Sequence, residues 1–244
     1  DGLEQRLTDP AVRLITIVGP GGVGKTRLAL ALAEKQLRPA SAFTDGIYFI
    51  SLTPIRTAEA IIQTIAEGLA FPLLSAEEPA SQLLTYLRHK QMLLVLDNFE
   101  HVLAGAAFVS QILRTAAGVK ALVTSRERLN LANEALWPIG GLNFAELVSV
   151  ETALAYEAVQ LFMQRALQVW PDFALQAEAL PHLQRILQEV GGMPLAIELA
   201  AAWLNMLSLA EIAAELSYGL DLLESDLQDV PGRHRSMRMV FDRP

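Results

Sequence analysis

Gly19-Pro20-Gly21-Gly22-Val23-Gly24-Lys25-Thr26 meets every specified position of the phosphate-cradling pattern G-x-x-x-x-G-K-[ST]. Its setting is the one the chemistry needs. An apolar β-type run, Leu14-Ile15-Thr16-Ile17-Val18, leads into it, and good helix formers at 27–35 follow. Glycines admit backbone conformations closed to other residues, so successive N–H groups can curl around an anion. The helix that follows aims roughly half a positive charge at the same point. Gly19, Gly21, Gly22, Val23, Gly24, Lys25, Thr26 and Arg27 are therefore the candidate nucleotide-binding residues. Lys25 is expected to reach the β- and γ-phosphates and the Thr26 hydroxyl to hold Mg²⁺. A glycine turn with no ligand would explain neither the Lys-Thr pair nor its position. The expected ligand is a nucleoside triphosphate or diphosphate.

Outward from this loop, strand-like runs at 14–18, 47–51, 92–96, 121–124 and 136–139 alternate with helical patterns near 26–38, 57–69, 79–89 and 101–116. Such alternation predicts an α/β fold with a parallel sheet and helices on both faces. Met92-Leu93-Leu94-Val95-Leu96 is apolar without alternation, as a central strand buried on both faces should be. Beyond 150 the strand signal stops. Val159, Phe162, Met163, Ala166 and Leu167 recur at helical spacing, as do Leu183, Ile186, Leu187 and Val190, and further helices are expected over 194–206 and 209–216. Four helices of this length predict a small bundle. The Gly140-Gly141-Leu142-Asn143 link sets the expected boundaries: a nucleotide-binding domain over 1–145, a helical bundle over 146–230, and a linker or the start of another domain over 231–244.

With 244 residues, 52% of them hydrophobic, the chain can build a real core. It has no cysteine, which excludes disulfides, thiolate metal sites and a cysteine nucleophile and suits a cytoplasmic location. The start, Asp1-Gly2-Leu3-Glu4, has neither an initiator Met nor a signal-peptide pattern and reads as an excised piece of a longer chain. The longest strongly apolar helical stretch, 199–210, has 12 residues, short of the roughly 20 a membrane span requires. A net charge of −8 makes this piece a poor DNA-contacting module, so any DNA contact is expected from other domains.

Asp97 ends the buried strand, where a carboxylate can hold Mg²⁺; the alternative is an aspartate capping the next helix. Thr124-Ser125-Arg126 ends the next strand. The Arg126 guanidinium can pair with γ-phosphate oxygens, yet Thr124 and Glu127 also have capping-box spacing, which would leave Arg126 in a solvated first turn. Gly191-Gly192-Met193-Pro194 reads as a glycine helix end followed by a proline-started helix. The four histidines show no metal-ligand spacing, and no G-x-S-x-G elbow is present.

Taken together, the P-loop, Leu93-Leu94-Val95-Leu96-Asp97-Asn98-Phe99-Glu100-His101, Thr124-Ser125-Arg126-Glu127 and Gly192-Met193-Pro194-Leu195-Ala196 resemble the NB-ARC-like branch of STAND ATPases. The likeness is nearest to the ATPase module of bacterial LuxR-type and antibiotic-regulatory transcription regulators. It implies a sheet ordered 5-1-4-3-2, a helical bundle that closes over the nucleotide, Arg126 as γ-phosphate sensor and Pro194 as a contact of the adenine or ribose. It also implies ATP and ADP, with Mg²⁺ on Thr26 and Asp97. Two departures stand out. Asn98 occupies the position after the Walker-B aspartate, usually a second acid, so base-assisted hydrolysis would fall to Glu100. The winged-helix domain that usually follows is absent from this piece.

Three functions follow as expectations. The first is a regulatory switch with slow or weak hydrolysis, self-associating in the ATP state and part of a signal-transducing transcription regulator. The second is a constitutive ATPase or small-molecule phosphotransferase, which would need a positioned base and an acceptor pocket. The third is a binding scaffold without hydrolysis, for which Asn98 is the only hint.

Overall fold

A computed structural model describes residues 2–38, 41–75 and 77–218. The basic cluster at 233–238 and the expected linker over 231–244 lie outside these residues. The residues up to Gly19, together with Lys25–Ile139, form one compact unit. Pro20–Gly24 and the described residues from Gly140 onward form a second.

The first unit is built on β1 (Leu14–Val18), β2 (Gly46–Ser51), β3 (Met92–Asp97), β4 (Val119–Ser125) and β5 (Glu134–Pro138). They form one sheet in the order β2-β3-β4-β1-β5, every adjacent pair parallel. This is the order 5-1-4-3-2 that the resemblance implied. Side chains of β3 split between the two faces, as strand geometry dictates. Met92, Leu94 and Leu96 pack with Ile61, Ile65, Leu83, Leu87 and Ile112 from α3 (Ala60–Gly68), α4 (Pro79–Leu87) and α5 (Ala106–Thr115). Leu93 and Val95 pack on the other face with Leu3, Leu7, Ala29 and Leu32 from α1 (Gly2–Thr8) and α2 (Lys25–Lys35). The register aligns Val18 with Ser125 and Ser51 with Asp97, so the phosphate loop and the two polar strand ends share the carboxyl edge of the sheet.

Several elements differ from expectation. Helix α1 carries only Leu3 and Leu7 inward, too brief a pattern to read, and it is fixed by Lys120, whose ammonium donates to the carbonyls of Leu7 and Asp9. The helix expected over 101–116 is two 3₁₀ turns, Phe99–His101 and Leu103–Gly105, followed by α5. The β5 run starts at Glu134, whose carboxylate accepts from the Thr16 hydroxyl of the neighbouring strand.

The second unit holds α6 (Val150–Ala153), α7 (Glu157–Val169), α8 (Leu180–Glu189), α9 (Pro194–Ala202) and α10 (Leu209–Tyr218). Four of these match the expected bundle helices, and α6 is an additional turn closed by a Ser149–Thr152 capping box. Phe162, Leu183, Ile186, Ile197, Ala200 and Ile212 are fully buried here. Between α8 and α9 the chain turns through Gly192, φ 66°, whose carbonyl accepts from the Leu142 N–H at 2.7 Å. A Cβ at Gly192 would collide with the Leu142 carbonyl oxygen, whereas one at Gly140 would meet open space.

Gly192→Ala is accordingly expected to destabilise the second unit by about 1–3 kcal/mol, the usual cost of forcing a left-handed backbone on a side chain. Gly140→Ala should stay within about 0.5 kcal/mol of the parent. Chemical denaturation of both variants checks the contrast.

Candidate nucleotide-binding site

The carboxyl ends of β1, β3 and β4 carry the polar residues, the position at which open parallel sheets bind ligands. The loop leaving β1 bends through Gly22 and Gly24, with φ of 72° and 95°. Open space faces Gly24, where an added Cβ would touch nothing within 4 Å. Such a turn exposes successive N–H groups on its concave side.

Lys25 begins α2 and is only 7% exposed. Its ammonium donates to the Gly19 carbonyl at 2.8 Å. Burial pulls its pKa below the ordinary lysine value; the Glu100 carboxylate opposes this, Arg126 adds to it, and Asp97 opposes it again. Lys25 therefore senses three charged neighbours while being largely removed from water. The next residue, Thr26, donates its hydroxyl to Asp97 Oδ1 at 2.6 Å.

Asp97, 3% exposed, accepts a second hydroxyl bond from Thr124 on β4, also at 2.6 Å. This resolves the helix-cap alternative: the aspartate is engaged by hydroxyls from α2 and β4, and Asn98 precedes the following 3₁₀ turn. The capping-box alternative for Thr124 and Glu127 also fails. The Glu127 N–H goes to Ser125 Oγ at 3.1 Å, and residues 126–133 form no helix. Arg126 lies beside Glu100, with Nε 3.5 Å from Oε1.

Lys25, Thr26, Asp97, Glu100 and Arg126 are thus brought together in the first unit. Arg27 is exposed on the first turn of α2. Gly21, Gly22, Val23 and Gly24 belong to the loop tip, where Val23 is buried and the Gly22 carbonyl accepts from the Leu195 N–H at 3.3 Å, within the second unit. Pro194, the preceding residue, opens α9. Sequence reasoning missed Thr53, whose hydroxyl accepts from the Asn98 carboxamide at 2.7 Å, and the direct service of Thr124 to Asp97. A lone hydroxyl at a strand end carries no periodic signal. His89, His101 and His182 are exposed, and among the described residues no cluster of His, Asp and Glu could hold a metal by itself.

The residues present fit a nucleoside polyphosphate with Mg²⁺. Mg²⁺ is held by one or two protein oxygens plus phosphates and water rather than by an all-protein cage. Thr26 and Asp97, 2.6 Å apart, would supply such a pair. Glu100 Oε2 is buried and has no hydrogen-bond partner among the described residues.

Comparison with known proteins places the chain in a family and a fold. The NB-ARC domain family matches residues 1–147. A Mycobacterium tuberculosis protein bearing the name of an HTH-type transcriptional regulator is 34% identical over 231 residues, 94% of this chain and 24% of the relative. The chain therefore spans 24% of that relative's length. Among solved structures, Cdc6p from Pyrobaculum aerophilum has a TM-score of 0.52 at 18% identity, covering 81% of this chain and 59% of its own. ORC2 from Aeropyrum pernix, solved as ADPNP-ADP complexes, has a TM-score of 0.50 at 14% identity, with 84% and 60% covered. At these identities the likeness is one of fold.

Thr124→Val keeps the shape but removes a hydroxyl that donates to a buried carboxylate and accepts from the Asn98 N–H at 3.0 Å. Leaving such groups unsatisfied should cost about 1–3 kcal/mol, read as a lowered denaturation midpoint with an unchanged slope.

Proposed function

Because this chain belongs to the NB-ARC domain family, we infer that it is the ATP- and ADP-binding switch module of a longer signal-transducing transcription regulator, with slow or weak hydrolysis. The observation that carries this reading is the 2.6 Å contact of Thr26 with Asp97, one residue from the buried Lys25. It joins the loop that would cradle phosphates to the strand end that would hold their metal. The name of the mycobacterial relative supports the regulatory part.

In this reading the amides from Gly21 to Thr26 and the Lys25 ammonium bind the phosphate chain; Pro20 has no N–H, and that of Gly19 goes to the Ser125 carbonyl. Thr26 and Asp97 would hold Mg²⁺, which when bound neutralises phosphate charge. Arg126 contacts the γ-phosphate and so distinguishes triphosphate from diphosphate, and Pro194 contributes to the nucleoside end. Residues 1–145 form the nucleotide-binding domain, and residues 146–230 form the helical one. A switch requires unequal affinity of its two states for the two nucleotides, because equal binding shifts no population. The triphosphate state self-associates, DNA is contacted by other domains of the longer protein, and the protein works in the cytoplasm. Among the described residues, no helix is long and apolar enough to cross a membrane.

A second reading, a constitutive ATPase or small-molecule phosphotransferase, has the partly exposed Arg126 and the largely buried Glu100 side chain in its favour. Steady-state phosphate release separates the two. Turnover in the range of about 1–100 per second belongs to an enzyme of the second kind, and far slower release belongs to the switch.

Calorimetric titration of the 244-residue chain with ADP and ATP should show binding that Lys25→Ala abolishes and that removal of Mg²⁺ by chelation weakens. Binding undiminished in Lys25→Ala would remove this function.

A further inference from the structure

The residue after Asp97 is held in an unusual way. Asn98 adopts a left-handed backbone, φ 61° and ψ 49°, which asparagine tolerates better than most side chains. Its N–H donates to Thr124 Oγ1 at 3.0 Å and its carboxamide to Thr53 Oγ1 at 2.7 Å. The side chain at position 98 is therefore committed to the segment after β2. The left-handed step sends the chain into the Phe99–His101 turn, which the fully buried Phe99 anchors.

That turn sets Glu100 against Arg126. Their side chains are 13% and 36% exposed, and the 3.5 Å contact is an ion pair without hydrogen-bond geometry. Oε1 thus faces a cation, whereas Oε2 is buried without a hydrogen-bond partner among the described residues. A buried carboxylate oxygen left without a hydrogen bond is costly and calls for a physical reason. Glu100 is also the foremost charge opposing the desolvation of Lys25, which places its field at the phosphate-binding end of α2.

Resting on the nucleotide reading above, we propose that Glu100 and Arg126 form a latch that a γ-phosphate opens. Without a γ-phosphate, Arg126 neutralises Glu100. A triphosphate draws the guanidinium onto its terminal oxygens, where it binds more strongly by paired hydrogen bonds. The uncovered carboxylate then orients the attacking water. In the step that follows, the water oxygen bonds to the γ-phosphorus as the bond from that phosphorus to the β–γ bridging oxygen breaks. The bridging oxygen keeps the electron pair and departs on ADP, and one water proton passes to Glu100 Oε2. Nothing is oxidised or reduced. One arginine serves two anions in turn, so release of the Glu100 carboxylate is tied to engagement of the γ-phosphate by Arg126.

The test uses the 244-residue chain carrying Glu100→Gln, Glu100→Asp, Arg126→Gln and the Glu100→Gln/Arg126→Gln pair. Fluorescent ADP and a non-hydrolysable triphosphate analogue, each with Mg²⁺, are titrated, and phosphate release from ATP is followed in a single turnover. Glu100→Gln should raise the preference for triphosphate over diphosphate by about 5-fold or more, the lower range of measured couplings. It should also slow the single turnover by about 100-fold or more, as loss of a general base does. Arg126→Gln should lower the preference, and in the pair the gain from Glu100→Gln should vanish, since no guanidinium is left to release. Glu100→Asp, one methylene shorter, should also raise the preference, and it decides the matter if Glu100→Gln does not fold. A preference unchanged in the Glu100 variants, or a gain that survives in the pair, overturns the latch. Failure of the parent chain to bind either nucleotide overturns the underlying reading instead.

Discussion

A carboxylate enters the interior at Asp97, and the polar edge of the sheet is arranged to make that tolerable. An ionised side chain removed from water is costly unless hydrogen bonds replace its hydration. Two hydroxyls do so, Thr26 from the start of α2 and Thr124 from the end of β4. Thr124 in turn accepts from the Asn98 N–H, so the same oxygen also fixes the first step after β3. The alignment of α2, β3 and β4 is thereby linked to one atom, Asp97 Oδ1. A slip of β3 by one residue would turn Asp97 to the other face and leave that oxygen without both donors.

Around this anchor the charges alternate. Asp97 and Glu100 are interleaved with Lys25 and Arg126, and the depressed pKa of Lys25 records how far burial outweighs its favourable neighbours. Interactions among partly buried charges are stronger than among solvated ones. A polyanion entering such a cluster competes with the resident carboxylates for the same two cations. Under the proposed switch function, recognition and rearrangement would then be the same event.

Much of this architecture was readable where the signal is local. The phosphate loop is a contiguous pattern, and β3 announced itself through apolar residues on both faces. The strand order came from family likeness, because periodicity says nothing about which strands are neighbours. Helix α1 escaped notice since two inward leucines in seven residues do not make a period, and its fixing cation, Lys120, lies far away in sequence. The hydroxyl contacts of Thr53 and Thr124 were invisible for the same reason. The capping-box spacing at Thr124 misled because Ser125 takes the Glu127 N–H and the chain runs on to β5 without a helix. Local chemistry of that kind proposes a cap; only the path of the chain decides whether there is a helix to cap.

The bond from the Lys25 ammonium to the Gly19 carbonyl has a consequence for selectivity among anions. A cation already seated on an oxygen gives up that seat to receive a guest, so the net gain is the difference between two acceptors. A sulfate or a lone phosphate offers a short contact and little else, whereas a chain of phosphates also reaches the amides of the whole turn. If the loop takes phosphate as proposed, the lysine's resting partner would set a threshold that a small anion clears less easily than a polyphosphate.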